Sequence, residues 1–593
     1  MAILAGAFSC NDNWDPGGMA ANVAKDTCRY PAQRARLLVK DGRLACYVVE
    51  REGEERETLQ VSTGEGGTVL LAGRVACPKT ALDRLEEDLR EDPVGALSRL
   101  EGLWQAVVYT LPQGPVRLIS DWLGFGWLYV GRCQRGYIFS ADFGAVARNL
   151  SLPLTVNDEA ALASVCVGYS PDNQTCFHEI TMVPPGGSVE LLPDRIRTIP
   201  GARPEYGDGY VSLSQQKKFE ILDQVYRESL DMWTTAGRER LIVSLSEGND
   251  SRYVLALAIE YGVMPPCLTF GHPRSPAVRA SRALCDRLDL QWSHFYPQEY
   301  SWDSWQRCVE QLGAVGGFHQ WAGWADQWCN LLASQGNGVL VGLVADTFSG
   351  KHLEQVNAVS MKGTWRQRYE AWSVEDGWRE SPLLRQESRQ RLTSCVSDVF
   401  SGVGKDVKYA FPHQEALHLD LYGRQRRFGG SQANLLLRFL APISPFASRK
   451  CADFWSNLPY EDLEGKALYL AYARSRFPRL FGDSPRPPTL PQRLWGTLKN
   501  QSVAMFPALK NVLKPTEVDT RGMVICMRRE FAKSIRQAAP MMGHLVDTET
   551  VLKELDSFPR QGGARAPQIL RLVNLAVLLR LGSGGASGGN GFA

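Results

Sequence analysis

Leu241-Ile242-Val243-Ser244-Leu245-Ser246-Glu247-Gly248-Asn249-Asp250-Ser251-Arg252 is the stretch on which the fold turns. An apolar, β-branched run opens into a Ser-rich turn holding one Gly and one Asp, and an apolar helical pattern follows at once. That order spells strand, loop and helix. The first N–H groups of a helix lack intrahelical partners and can hold phosphate, and a nearby carboxylate can hold Mg²⁺. Ser246, Ser251 and the backbone around Gly248 are therefore candidate phosphate donors, and Asp250 is a candidate Mg²⁺ ligand. The Walker pattern G-x-x-x-x-G-K-[ST] is absent, and from the loop alone an ordinary strand-to-helix turn capped by Ser and Asp is an even alternative.

Outward from this loop, strand and helix alternate. The spacing predicts a helix over 215–233, a strand over 241–245, a helix over 250–261, and strands over 267–270 and 291–296 around a helix at 276–288. A further buried strand is expected at 338–342. Near-continuous apolar strands separated by helices imply a parallel sheet covered on its faces. Residues 355–480 read as mainly helical.

Before this region the rhythm differs. Residues 1–205 show short strands punctuated by Gly and Pro, at 68–71, 105–109, 116–120, 127–130 and 137–140, the last two as a hairpin turning through 131–136. Helices are expected over 80–92 and 159–167. This is an α+β pattern rich in antiparallel sheet. Gly201–Gly209 reads as a first linker and Ser484–Pro488 as a second; Gly582–Gly589 is a Gly/Ser tail. The expected organisation is 1–205, 210–480, a helical extension 481–581 and a flexible tail 582–593.

Composition narrows the function classes. The 593 residues carry 66 Lys+Arg against 64 Asp+Glu, a net charge of +2, which gives no reason to expect nucleic acid or an anionic membrane as partner. The fourteen cysteines form no C-x-x-C and no Cys/His cluster at metal spacing. The apolar start lacks a basic flank and reads as a first strand, and no apolar run reaches 18 residues. A cytoplasmic location is the default expectation.

The ordered motifs resemble those of the asparagine synthetase family. Ser246-Glu247-Gly248-Asn249-Asp250-Ser251 is similar to its pyrophosphatase loop S-G-G-x-D-S, with Glu247 at the first Gly. Gly342-Leu343-Val344-Ala345-Asp346-Thr347-Phe348-Ser349-Gly350 resembles its second acidic loop, G-x-G-x-D-x-x-x-G, with Leu343 and Val344 replacing an acidic residue and a Gly. Arg438 to Phe446 is similar to the segment that ends in Pro-Phe near the substrate pocket. Leu458-Pro459 and the helix around Lys466 match the closing region.

The resemblance implies an N-terminal-nucleophile-like sandwich, then an α/β parallel-sheet adenylating domain of the PP-loop ATP pyrophosphatase type, then a helical C-terminal extension. It implies an AMP-forming, ATP-dependent amide ligase. Asp250 and Asp346 would bind Mg²⁺, Ser244, Ser246, Gly248, Asn249, Asp250, Ser251 and Gly342 would bind ATP and pyrophosphate, and Lys466 would stabilise the transition state.

Glutamine-dependent members of that family begin Met-Cys-Gly-Ile-Ala-Gly-Ile-Phe. This chain begins Met1-Ala2-Ile3-Leu4-Ala5-Gly6-Ala7-Phe8. The comparison places Ala2 at the nucleophile, and a methyl group cannot attack an amide. Ala72 and Arg74 replace polar and acidic glutamine-binding partners. A non-glutamine amine on a small-molecule or peptide substrate is then the expected acceptor. Intramolecular cyclisation of the lasso-peptide or β-lactam type, and a non-catalytic scaffold with an altered nucleotide loop, are the alternatives.

Two further stretches have bland expectations. Trp321, Trp324 and Trp328 fall at helical spacing and suit a buried helix face, or the lining of an acceptor pocket. Arg424 to Arg427 could hold phosphate or an acidic substrate, but such a run more often reads as a solvated basic face.

Overall fold

The computed structural model describes residues 2–10, 14–52, 58–63, 66–110, 114–234, 240–297, 299–317, 321–374, 377–482, 519–561 and 565–583. Among these residues the first part builds two antiparallel sheets from twelve strands: β1 Ile3–Ser9, β2 Gln33–Asp41, β3 Leu44–Arg51, β4 Thr58–Ser62, β5 Gly67–Ala76, β6 Glu101–Thr110, β7 Val116–Ser120, β8 Tyr129–Cys133, β9 Gly136–Ser140, β10 Ile180–Met182, β11 Ser188–Leu191 and β12 Ile196–Ile199. Their orders are β10-β8-β9-β1-β3-β2 and β12-β11-β7-β6-β5-β4.

Alternation decides what lies between the sheets. Leu4, Phe8, Val48 and Phe139 of one meet Leu70, Val107, Leu118 and Val189 of the other in a single apolar layer, because successive strand side chains point to opposite faces. Ala2 sits in this layer and is 1% exposed. The outer face of the second sheet carries Lys79–Glu91 and Pro93–Arg99, whose Leu85, Leu89 and Leu97 cover Val69, Leu71 and Trp104. Gly17–Thr27 and Phe143–Asn149 cover the first sheet. The result is a helix–sheet–sheet–helix stack.

The hairpin β8–β9 turns at Gln134-Arg135, and Gly131 lies within the strand. A Cβ at Gly131 would lie 2.8 Å from Leu150, so that glycine serves packing rather than the turn. Gly201–Gly209 is not a free tether either. Tyr206 is buried, and it bridges to Tyr409 in parallel register.

The second part holds a five-stranded parallel sheet made of β13 Leu241–Ser244, β14 Cys267–Phe270, β15 Trp292–Phe295, β16 Gly338–Leu340 and β17 Ala441–Ile443. Its order is β15-β14-β13-β16-β17. β17 falls inside the stretch that reads as helical. It is three residues long, includes Pro442, and lies at the sheet edge, where a missing N–H is tolerated.

After β13 the chain goes on to build β14 and β15 on one side, and β16 and β17 lie on the other. The loops leaving β13 and β16 therefore diverge. Such a switch point opens a crevice at the carboxyl ends of the strands.

Among the described residues, four helices form the C-terminal part: Thr520–Cys526, Arg528–Met542, Thr548–Gln561 and Ala566–Ser583. The last one is wedged against both earlier parts. Asn574 accepts from the Trp305 indole at 2.8 Å and donates to the Val315 carbonyl at 2.9 Å. Arg571, 1% exposed, donates to the Val165 and Cys166 carbonyls at the end of the helix Asp158–Val167, where a cation complements the helix dipole. The expected second linker at 484–488 lies outside the described residues. So does the expected tail, except that 582 and 583 close the last helix. Among the described residues, no helix is long and apolar enough to cross a membrane.

Candidate active site

The crevice between β13 and β16 holds a cavity of about 390 Å³ lined by Ser244, Ser246, Asp250, Gly342 and Asp346. The first loop is ordered by its own serines. Ser246 Oγ and Ser251 Oγ are 3.0 Å apart, the Ser246 N–H donates to Ser251 Oγ at 3.0 Å, and the Gly248 N–H donates to Ser246 Oγ at 3.1 Å. Gly248 is the N-cap of the helix Asn249–Glu260 and no side chain caps that helix, so its first-turn N–H groups are left for a ligand or water. The Asn249 side chain is engaged elsewhere, its Oδ1 accepting from Arg252 at 2.6 Å. Glu247, where the loop departs from the motif it resembles, is exposed and is not part of the cavity wall.

The second loop is pressed against the first. A Cβ on Gly342 would lie 2.7 Å from the Asp250 Cβ, so only glycine admits this approach. Two residues later Val344 adopts φ 61°, a left-handed conformation that is strained for a β-branched residue. Val344 thus holds a backbone conformation that glycine adopts at no steric cost. Gly350, at φ 83°, lies against the Leu463 carbonyl, which a Cβ would meet at 2.2 Å. This contact joins the second loop to the turn that presents Lys466, itself at φ 60°.

Three segments far apart in the chain thus converge. Lys466 Nζ lies 3.1 Å from Asp346 and 3.5 Å from Asp250, bridging the two carboxylates. Lys351 Nζ binds the other Asp346 oxygen at 2.8 Å, and the Tyr469 hydroxyl donates to Asp250 at 2.9 Å. Burial pushes the Asp250 carboxyl up to about 6, with the nearby Asp346 charge adding to it and Lys466 opposing. For Asp346, burial works the same way, but Lys466 and Lys351 outweigh it and hold the carboxyl below the usual range. The two acids are driven apart in acidity, as at sites where one proton is shared.

Magnesium fits this donor set. Among the described residues no group of three or more His, Cys, Asp or Glu could form a protein cage. Mg²⁺ is ordinarily held by one or two carboxylates together with substrate phosphates, and Asp250 and Asp346 are such a pair.

Sequence reasoning missed Lys351 and Tyr469. Tyr469 lies three residues after Lys466, in the first turn of the helix Ala467–Arg476 that Lys466 precedes, and Lys351 directly follows the last glycine of the second loop; both spacings are visible once the loops are placed. The basic run behaves unlike its expected solvated face. It lies on a π-helical stretch, Asp420–Gly429, a rare geometry that recurs at functional sites. Arg426 and Arg427 are each 2% exposed. Arg426 donates to the Asn173 side chain and the Val183 carbonyl, both at 2.7 Å, and Arg427 lies over the Trp127 ring. Guanidinium groups can be buried where carbonyls and aromatic faces receive them. Arg424 and Gln425 line the cavity.

The tryptophans divide as well. The helix Ala325–Gln335 starts after Trp324, so Trp321 and Trp324 precede it and do not share its face. Trp324 and Trp328 are buried against Phe270 and Phe295, while Trp321 and Trp328 also line the cavity.

A scan against protein-family models finds no match for this chain, and a search of curated proteins finds none either.

Proposed function

We propose that this protein is an AMP-forming amide ligase resembling the asparagine synthetase family, with an N-terminal-nucleophile-like sandwich kept as scaffold. One observation carries the reading: Asp250 and Asp346 follow adjacent parallel strands at the switch point, line one cavity and are bridged by Lys466. A carboxylate pair for Mg²⁺ and a cation for developing oxyanions are what adenylation needs.

In this reading the substrate carboxylate oxygen attacks the α-phosphorus of ATP, the bond to the bridging oxygen breaks, and pyrophosphate leaves with that electron pair. An amine then attacks the acyl carbon of the adenylate, loses a proton, and AMP departs. The serine loop and the free N–H groups of the helix Asn249–Glu260 hold the pyrophosphate oxygens. Bound magnesium would neutralise phosphate charge between Asp250 and Asp346. Lys466, held beside both carboxylates, is placed to steady the oxyanion of the tetrahedral adduct. Val344 and the flanking apolar residues exclude water from an intermediate that it would hydrolyse.

The buried Ala2 supports an acceptor amine other than glutamine-derived ammonia. ATP–pyrophosphate exchange across a panel of carboxylic acids tests the reading. Exchange that depends on one acid and is lost in Asp346→Asn is expected. Absence of exchange together with absence of Mg²⁺–ATP binding overturns it.

A further inference from the structure

We propose that Asp420 is a positioning residue for the second loop: from a separate segment it ties down Thr347 and His352, so that Asp346 meets a nucleotide-bound divalent cation in one fixed orientation. The cation rests on the adenylating reading; the tie itself rests on hydrogen bonds within the protein.

Asp420 opens the π-helical stretch Asp420–Gly429 and is 2% exposed. Its Oδ2 accepts from the Thr347 hydroxyl and lies 2.8 Å from His352 Nδ1, and its Oδ1 accepts from the Tyr369 hydroxyl at 3.1 Å. On the far side of the imidazole, His352 Nε2 lies 3.4 Å from Arg424 Nη1. Burial works to raise the Asp420 carboxyl, but the charges of His352 and Arg424 and the hydrogen bonds from His352 and Thr347 outweigh it and hold the group below the usual range. A buried carboxylate stays ionised only where such partners satisfy its oxygens. The space it shares with Thr347, His352 and Tyr369 leaves no room for a water molecule, so solvent cannot replace a lost partner.

The two loop anchors bracket the residues that face the cation. Thr347 directly follows Asp346, and His352 directly follows Lys351, whose Nζ holds Asp346 at 2.8 Å. Between them the chain cannot fix itself. Asp346 sits in the four-residue helix Ala345–Phe348, entered through left-handed Val344 and followed by left-handed Gly350. A single helical turn is not stable alone. The Asp346 side chain is 28% exposed and ion-paired to Lys351 and Lys466. A lysine is a point charge on a flexible stem, so it supplies charge but little direction. Direction comes from the backbone beneath, which Asp420 fixes on both sides, as partners behind a metal ligand do. Tyr369 plays a different part. It belongs to the helix Trp365–Ser373, outside the second loop, and its hydroxyl also lies 3.4 Å from that of Tyr169. Its bond supports the carboxylate without tying down either loop anchor.

The test uses full-length protein with Mn²⁺–ATP as the probe, followed by electron paramagnetic resonance, together with amide hydrogen exchange over 344–352 in the absence of nucleotide. Asp420→Asn is expected to weaken Mn²⁺–ATP binding about 10- to 100-fold, the span for loss of a partner that orients a metal ligand, and to change the spectrum of bound Mn²⁺. Exchange over 344–352 is expected to quicken in the same variant. Thr347→Val, which keeps the shape and removes one anchor, should weaken binding about 10-fold. Tyr369→Phe should leave affinity and spectrum as in the wild type. Melting curves check folding, and if Asp420→Asn does not fold, Thr347→Val against Tyr369→Phe decides. Wild-type affinity and spectrum in the deciding variant would overturn the proposal. An equal loss in Tyr369→Phe would also overturn it, by making the carboxylate a general packing element. A wild type that never binds Mn²⁺–ATP, with exchange faster in the deciding variant and not in Tyr369→Phe, supports the tie and strikes only at the adenylating reading; unchanged exchange in that case overturns both.

Discussion

Replacing Asp250 by Asn should make the ligand-free protein more stable while removing its activity. The Asp250 side chain is 22% exposed, and its carboxyl is pushed up to about 6 by burial and by Asp346. An ordinary aspartate titrates near 3.9, so ionising this one in the folded state costs about 3 kcal/mol. The sign follows from the raised value. Below about pH 4 both folded and unfolded chains carry the proton and nothing is lost. As pH rises towards 6 the unfolded chain gives up its proton first, and stability falls until the folded group has titrated too.

Asparagine never ionises, keeps an oxygen for the Tyr469 hydroxyl, and offers an N–H to Asp346. The variant's advantage should therefore be about 1 kcal/mol at pH 4.5 and about 3 kcal/mol at pH 8. At pH 8 that amounts to roughly 6–12 °C in melting temperature for domains of a few hundred residues. Thermal melts of both proteins without nucleotide, from pH 4.5 to pH 8, measure it. The same variant should show no ATP–pyrophosphate exchange, as expected where a site holds charge at the expense of stability. Equal melting at pH 8, or an offset that does not change with pH, would refute the account of this carboxylate pair.

Three other perturbations follow from the same geometry. Lys466→Met should lower the rate of amide formation by about 100-fold or more, as for loss of a preorganised oxyanion partner, in rapid-quench assays with saturating Mg²⁺–ATP; an unchanged rate would remove Lys466 from the chemistry. Val344→Gly should be nearly neutral in chemical denaturation, because relief of about 1–2 kcal/mol of left-handed strain offsets about 1.5–3 kcal/mol of lost burial; a cost above about 4 kcal/mol would show that the backbone is not strained there. Ala2→Cys should release no ammonia from glutamine, since position 2 is buried between the sheets and Arg74 is engaged with the Trp233 carbonyl; measurable glutaminase activity would show that the scaffold keeps a working pocket.

The run 241–252 specifies its own strand, loop and helix because those elements are decided locally: an apolar β-branched stretch, then turn residues, then a 3.6-residue apolar period. The helices Gln215–Trp233 and Pro276–Leu288 and the strand Cys267–Phe270 coincide with their expected bounds for the same reason. Ala2, Asp250, Asp346 and Lys466 stand out in the sequence because ordered motifs limit which residues can carry chemistry.

Other features belong to pairings between distant segments. Nothing in Ala441-Pro442-Ile443 marks an edge strand until β16 lies beside it. Arg426 and Arg427 look like surface charge until Asn173, Val183 and Trp127 close over them. Arg424, in a π-helical stretch, lines the cavity beside His352 and Phe428, which come from elsewhere in the chain or from the next turn. Local propensity fixes which residues are helical or extended, but charge becomes site chemistry only where tertiary contacts remove water and decide which opposite charge is within reach.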